Sequence, residues 1–164
     1  MVRVLVVCTG NICRSPLAQG VLEDLVRREG LEGEISVDSA GTHSYHVGMA
    51  PDPRAQESAR RRGLDLGPQR ARRIRPEDCE EFDYVLTMDE ENYRAVAALC
   101  RQGNAEVRPF LDYAPDRVET EVPDPFYGGG EGFEHVMDLA EAASKGLLQE
   151  IKRSHLAGRT QTRS

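Results

Sequence analysis

The hydrophobic pattern of this chain alternates between two periods. It opens with Val2, Val4, Leu5, Val6 and Val7, a nearly continuous β-branched run that stops at Cys8. Such a run predicts a strand over 2–8 buried on both faces, as in the interior of a parallel sheet. Beyond a small polar loop, apolar residues recur at Leu17, Val21, Leu22, Leu25 and Val26. This spacing predicts a helix ending near Gly30, with Ser15 as its cap and Pro16 at its first position. Further strands are predicted over 34–42, 83–89 and 105–110. Further helices are predicted over 53–63, from Pro76, over 90–103, and from Phe133 to Ile151. Segments 43–53 and 111–130 read as loops.

Strands alternating with helices predict an α/β fold around a parallel sheet, with ligands beyond the carboxyl ends of the strands. The Cys8 loop stands at one such end. The 164 residues suit one domain, expected over 1–155, with 156–164 as a polar tail.

Composition narrows the function classes. The net charge of −7 argues against a general nucleic-acid binder. No apolar run approaches a membrane span, and "MVRVLVVC" is too short for a signal peptide, so a cytoplasmic protein is expected. Cys8, Cys13, Cys79 and Cys100 form no CxxC pair, and the histidines His43, His46, His135 and His155 show no ligand spacing. Neither a metal site nor a disulfide framework is expected. The histidines read as surface or packing residues. Arg60, Arg61, Arg62, Arg70, Arg72, Arg73 and Arg75 read as a solvated face. "GGGEG" at 128–132 follows a loop rather than a strand, so it is no dinucleotide fingerprint and reads as a flexible helix entry.

The chemistry concentrates in Cys8-Thr9-Gly10-Asn11-Ile12-Cys13-Arg14-Ser15. A loop between a strand and a helix N-terminus aims successive N–H groups at one spot, which suits an oxyanion. Gly10 relieves steric limits and Asn11 tolerates a left-handed backbone. Arg14 can fork onto a tetrahedral oxyanion. The helix dipole, the N–H groups and Arg14 all favour a thiolate at Cys8.

"CTGNICRSP" resembles the low-molecular-weight protein tyrosine phosphatases. "VDSAGT", "APDPRA", "FDYVLTMDEEN" and "VPDPFYGG" extend the likeness. The resemblance implies a flavodoxin-like three-layer sandwich, with a four-stranded parallel sheet and helices on both faces. It implies no cofactor, and phosphotyrosine-containing proteins as partners, with a cognate tyrosine kinase among the compatible settings. Cys8 becomes the expected nucleophile, Arg14 the phosphate clamp and Asp124 the general acid and base. Thr9, Gly10, Ile12 and Cys13 complete the phosphate loop, and Asn11, Ser15 and Ser39 form a network behind it. Tyr45, Phe126 and Tyr127 are expected to flank a planar ring. Gln69 stands where the family commonly has a histidine, and Asp89 is expected to be structural near the site. Cys13 is the expected redox partner of Cys8.

Three alternatives are compatible with the loop. A thiol-dependent arsenate reductase needs further cysteines, and Cys79 and Cys100 lie far apart in helix-like segments. A phosphoarginine phosphatase usually has a smaller threonine at the position of Ile12. A non-enzymatic reader has no need of both Cys8 and Asp124.

Overall fold

The computed structural model describes residues 1–127 and 130–156, with Tyr127 and Gly130 described by backbone alone. The elements follow as β1 (Val2–Cys8), α1 (Arg14–Arg28), β2 (Ile35–Gly41), α2 (Pro53–Arg61), α3 (Asp78–Glu81), β3 (Tyr84–Thr87), α4 (Glu90–Leu99), β4 (Glu106–Pro109) and α5 (Gly130–Ile151). The strands pair in parallel in the order β2-β1-β3-β4. This is the parallel α/β fold that the alternating pattern predicts and the four-stranded sandwich that the family resemblance implies.

The β-branched run explains itself in the core. Val4 and Val6 point into one cluster with Leu17 and Leu22 of α1 and Phe133, Met137 and Leu147 of α5. Leu5 and Val7 point the other way, into a second cluster with Phe82, Val96, Cys79 and Cys100. A central parallel strand has no solvent face, so its residues need not alternate with polar ones. No helix among the described residues is long and apolar enough to cross a membrane.

Several expectations are corrected. Helix α1 begins at Arg14, with Cys13 at its N-cap and no side-chain cap, so Ser15 and Pro16 lie inside the first turn. Ser15 does not cap because its hydroxyl is turned toward the Cys8 sulfur. β3 is shorter than predicted because Asp89 leaves the strand to cap α4, accepting from the N–H of Asn92 at 2.8 Å. Where the end of a strand and a loop are predicted, 3-10 turns form at Phe110–Tyr113 and Pro125–Tyr127, elements too short to impose a period.

Cys79 and Cys100 are bonded to each other, their Cα atoms 5.2 Å apart, against the expectation of no disulfide. The bridge joins α3 to the end of α4 inside the second cluster. The arginines do not form a single solvated face either. Arg62 gathers Glu134, Asp138 and Glu141 of α5, and Arg72 holds Asp38 and the fully buried Asp78. Leu156 packs into the main core. The remainder of the predicted tail, 157–164, and Gly128 and Gly129 of the glycine run lie outside the described residues.

Candidate active site

β1 delivers Cys8 to the carboxyl edge of the sheet, 3 % exposed. The chain then folds back under itself into α1. Asn11 adopts φ 58°, the left-handed region that its short amide side chain tolerates. β2 supports the loop from beside. A Cβ at Gly41 would stand 2.6 Å from the Thr9 carbonyl oxygen, so only glycine lets the two backbones approach this closely. The Asp52 N–H, at the start of α2, donates to the Ile12 carbonyl at 2.8 Å.

The Cys8 sulfur sits at the centre of a buried polar network. The Asn11 N–H donates to Sγ at 3.3 Å and Ser15 Oγ lies 3.0 Å from it. Asn11 Nδ2 donates to Ser15 Oγ at 2.8 Å and to Ser39 Oγ at 3.0 Å. The Arg72 N–H donates to Asn11 Oδ1 at 3.0 Å, and Ser39 Oγ donates to Gln19 Oε1 at 2.7 Å.

Arg14, 3 % exposed, is pinned before any ligand arrives. Its Nη1 donates to Asp89 Oδ2 at 2.7 Å and to the Val122 carbonyl at 3.1 Å. Its Nη2 donates to Thr9 Oγ1 at 3.3 Å, an oxygen that also accepts from Asn92 Nδ2. Burial works against the guanidinium charge, but Cys8, Asp89 and Asp124 outweigh it and hold the pKa above the ordinary value.

Asp124 arrives from the other side of the pocket. Its Oδ1 accepts from the Phe126 N–H at 3.0 Å and its Oδ2 lies 3.8 Å from Arg14 Nη2. Phe126 is braced in turn by Arg54, whose guanidinium lies over the Phe126 and Phe133 rings and pairs with Asp52. The result is a pocket of about 140 Å³ lined by Cys8, Thr9, Gly10, Ile12, Cys13, Arg14, Tyr45, His46, Asp124 and Phe126.

Of the residues singled out from the sequence, Asn11, Ser15 and Ser39 stand behind the pocket rather than in its lining. Tyr45 stands at the mouth, 72 % exposed. The Tyr127 side chain lies outside the described residues. Cys13 is buried, and burial together with Asp52, Cys8 and Asp124 pushes its thiol far up from the ordinary value. Gln69 does not join the network. Its Nε2 donates to the Pro16 carbonyl and its Oε1 is buried without a partner.

Three contributors escaped the sequence reading. His46, taken for a surface or packing residue, lines the pocket and lies against Gly10, where a Cβ would stand 2.9 Å from its ring. Asn92 braces Thr9, and Gln19 ends the buried network. Gln19 carried a faint signal, a polar residue on the apolar face of α1. The others carried none, because their partners are distant in sequence.

Comparison with known proteins identifies the family. The profile of the family described as "Low molecular weight phosphotyrosine protein phosphatase" matches residues 3–157. The low molecular weight protein-tyrosine-phosphatase YfkJ of Bacillus subtilis is 39 % identical over 154 residues, 93 % of this chain and 97 % of that protein. A protein tyrosine phosphatase from Entamoeba histolytica superposes with a TM-score of 0.90 at 35 % identity, covering 93 % of this chain and 98 % of the other. A Drosophila arginine phosphatase superposes with a TM-score of 0.85 at 30 % identity, covering 91 % and 97 %. On the strength of the profile and these relatives, the chain belongs to the low molecular weight phosphotyrosine protein phosphatase family.

Proposed function

We propose that this hydrolase cleaves phosphotyrosine in proteins, and small aryl phosphates, through a phosphocysteine intermediate. The observation that carries the reading is the convergence of Cys8 Sγ, the pinned Arg14 guanidinium and the Asp124 carboxyl on one pocket. The phosphate sits in the loop 8–15, held by backbone N–H groups and forked by Arg14. The Cys8 thiolate attacks phosphorus in line. An S–P bond forms as the bond to the phenolic oxygen breaks, and Asp124 gives the leaving oxygen its proton. Asp124 then takes a proton from a water that attacks phosphorus, which releases inorganic phosphate and restores the thiolate.

Tyr45, Phe126 and His46 around the mouth suit a planar ring deep enough for the phosphate to reach Cys8. The likeness to an arginine phosphatase favours phosphoarginine as a second reading. The bulk of Ile12 in the pocket wall supports phosphotyrosine. The bonding of Cys79 to Cys100 in the second cluster, across the sheet from the cluster that holds Cys8, supports hydrolysis over arsenate reduction. Cys13 is proposed to protect the nucleophile. Peroxide oxidises Cys8 to a sulfenic acid, and attack by the Cys13 sulfur then forms the disulfide and releases water. The substrates belong to a cytoplasmic phosphoprotein setting, with a tyrosine kinase as the opposing activity.

The test is turnover of an aryl phosphate, a phosphotyrosine peptide and a phosphoarginine peptide by the parent chain, Cys8→Ser and Asp124→Asn. The expected result is a strong preference for the tyrosine peptide and no turnover by Cys8→Ser. Undiminished turnover by Cys8→Ser overturns the mechanism, and a preference for phosphoarginine overturns the substrate.

A further inference from the structure

The polarity of the network behind Cys8 can be read from its atoms. The Arg72 N–H donates to Asn11 Oδ1, which fixes the orientation of the Asn11 amide. Nδ2 therefore carries both amide protons, and both are used, one on Ser15 Oγ and one on Ser39 Oγ. Each serine oxygen is an acceptor toward Asn11, so neither hydroxyl proton can point there. The Ser39 proton goes to Gln19 Oε1 at 2.7 Å. The Ser15 proton has the Cys8 sulfur at 3.0 Å, with the Ala40 carbonyl a longer alternative at 3.4 Å.

Gln19 is the terminal acceptor of this chain. It is 8 % exposed, one turn along α1 from Ser15. Its amide lies beside the half-buried Glu23 carboxyl one turn further along α1, and that interaction offsets part of the rise in the Glu23 pKa that burial causes. An acceptor at Glu23 draws the amide nitrogen, which leaves the amide oxygen for Ser39.

We propose that Gln19 is a positioning residue that sets the direction of the hydrogen bonds behind the nucleophile, so that the Ser15 hydroxyl donates to the Cys8 sulfur. It touches neither sulfur nor substrate and acts through Ser39 and Asn11. With Gln19 Oε1 gone, Ser39 loses its acceptor, its proton turns toward Asn11, and the donation from Asn11 Nδ2 that polarises Ser15 is disturbed. Chains of hydrogen bonds strengthen one another in a buried setting, so a change at the end is felt at the sulfur.

The inference rests on Cys8 being the nucleophile, and its test does not require turnover. Full-length parent, Gln19→Leu, Ser39→Ala and the double variant are alkylated with iodoacetamide, the modified cysteine being located by mass spectrometry. At about pH 6, Gln19→Leu is expected to slow alkylation of Cys8 by about fivefold, the size of one net hydrogen bond. The difference is expected to close by about pH 10, above the ordinary range of a thiol. In the Ser39→Ala background, Gln19→Leu is expected to add nothing. A parent-like rate in Gln19→Leu, equal slowing at both pH values, or additive slowing in the double variant overturns the proposal. None of these outcomes touches the phosphatase reading, whose own failure is read separately, as absence of turnover by the parent.

Discussion

Arg14 and Asp89 meet at 2.7 Å, with Arg14 almost wholly buried and Asp89 also capping the helix that follows it. One carboxylate thus does two jobs with its two oxygens, Oδ2 on the guanidinium and Oδ1 on the Asn92 N–H. The arginine faces the pocket already oriented, which spares that ordering when a ligand binds.

Replacing Asp89 separates the two jobs. Asp89→Asn and Asp89→Ala both release Arg14 and are expected to lower kcat/KM on an aryl phosphate by about 10²-fold. Asn still caps a helix and Ala does not, so Asp89→Ala is expected to be less stable than Asp89→Asn by about 1 kcal/mol in urea unfolding. Parent-like kcat/KM in both variants would mean that Val122 and Thr9 alone hold the guanidinium.

Asp124→Asn is expected to lower kcat by about 10²–10⁴-fold on phenyl phosphate, whose leaving group needs a proton. The deficit is expected to shrink across a series of aryl phosphates as the leaving phenol becomes more acidic. A deficit that stays constant along the series contradicts a proton-donor role.

Cys13 carries a pH signature. Burial, then Asp52, Cys8 and Asp124, keep its proton on in the folded chain well above the ordinary value of 9.0. The unfolded chain releases that proton above pH 9.0. Stability linked to Cys13 is therefore intact below that value and is lost as the pH climbs beyond it. Tyr84 and Tyr113, each pushed up by burial from 10.0 to about 12, add a further loss between those values. Urea unfolding at rising pH is expected to show the decline, and Cys13→Ser to flatten it between pH 9.0 and 10.0. After mild peroxide, mass spectrometry is expected to find a Cys8–Cys13 link; overoxidised Cys8 without that link sinks the protective role.

The Cys79–Cys100 bridge closes a sequence separation of 21 residues. Loop closure of that length is expected to stabilise the fold by about 3 kcal/mol. Cys79→Ser with Cys100→Ser should lower the urea unfolding free energy by this amount, with turnover of an aryl phosphate retained. An unchanged midpoint would mean that the bridge adds nothing to stability.

Gly41→Ala tests the support beneath the loop. Its new Cβ meets the Thr9 carbonyl oxygen at 2.6 Å and the Gly10 carbonyl carbon at 3.2 Å, backbone atoms that cannot rotate aside. Stability is expected to fall by about 1–3 kcal/mol. Inhibition by inorganic phosphate should weaken with it, since the displaced residues line the pocket. Unaltered phosphate inhibition would show that the loop keeps its shape without β2.

By itself, the sequence determined what depends on near neighbours. The β-branched run made β1 a strand with no solvent face, and the apolar spacing after Ser15 made α1 a helix. The short distance between Cys8 and Arg14 put thiol and guanidinium in one loop whatever the remainder of the chain did. Asp124 and Ser39 came from the family likeness, since nothing local to either marks it. Tertiary structure alone decided the partnerships across distance. It bonded Cys79 to Cys100, laid His46 over Gly10, and left Gln69 out of a network that Gln19 completes. Hydrophobic periodicity reports which face of an element is buried, and it holds no record of which polar atom waits on the other side. A hydrogen bond or disulfide between distant segments depends on ångström-scale placement, and that placement exists only once the sheet and its two layers have packed.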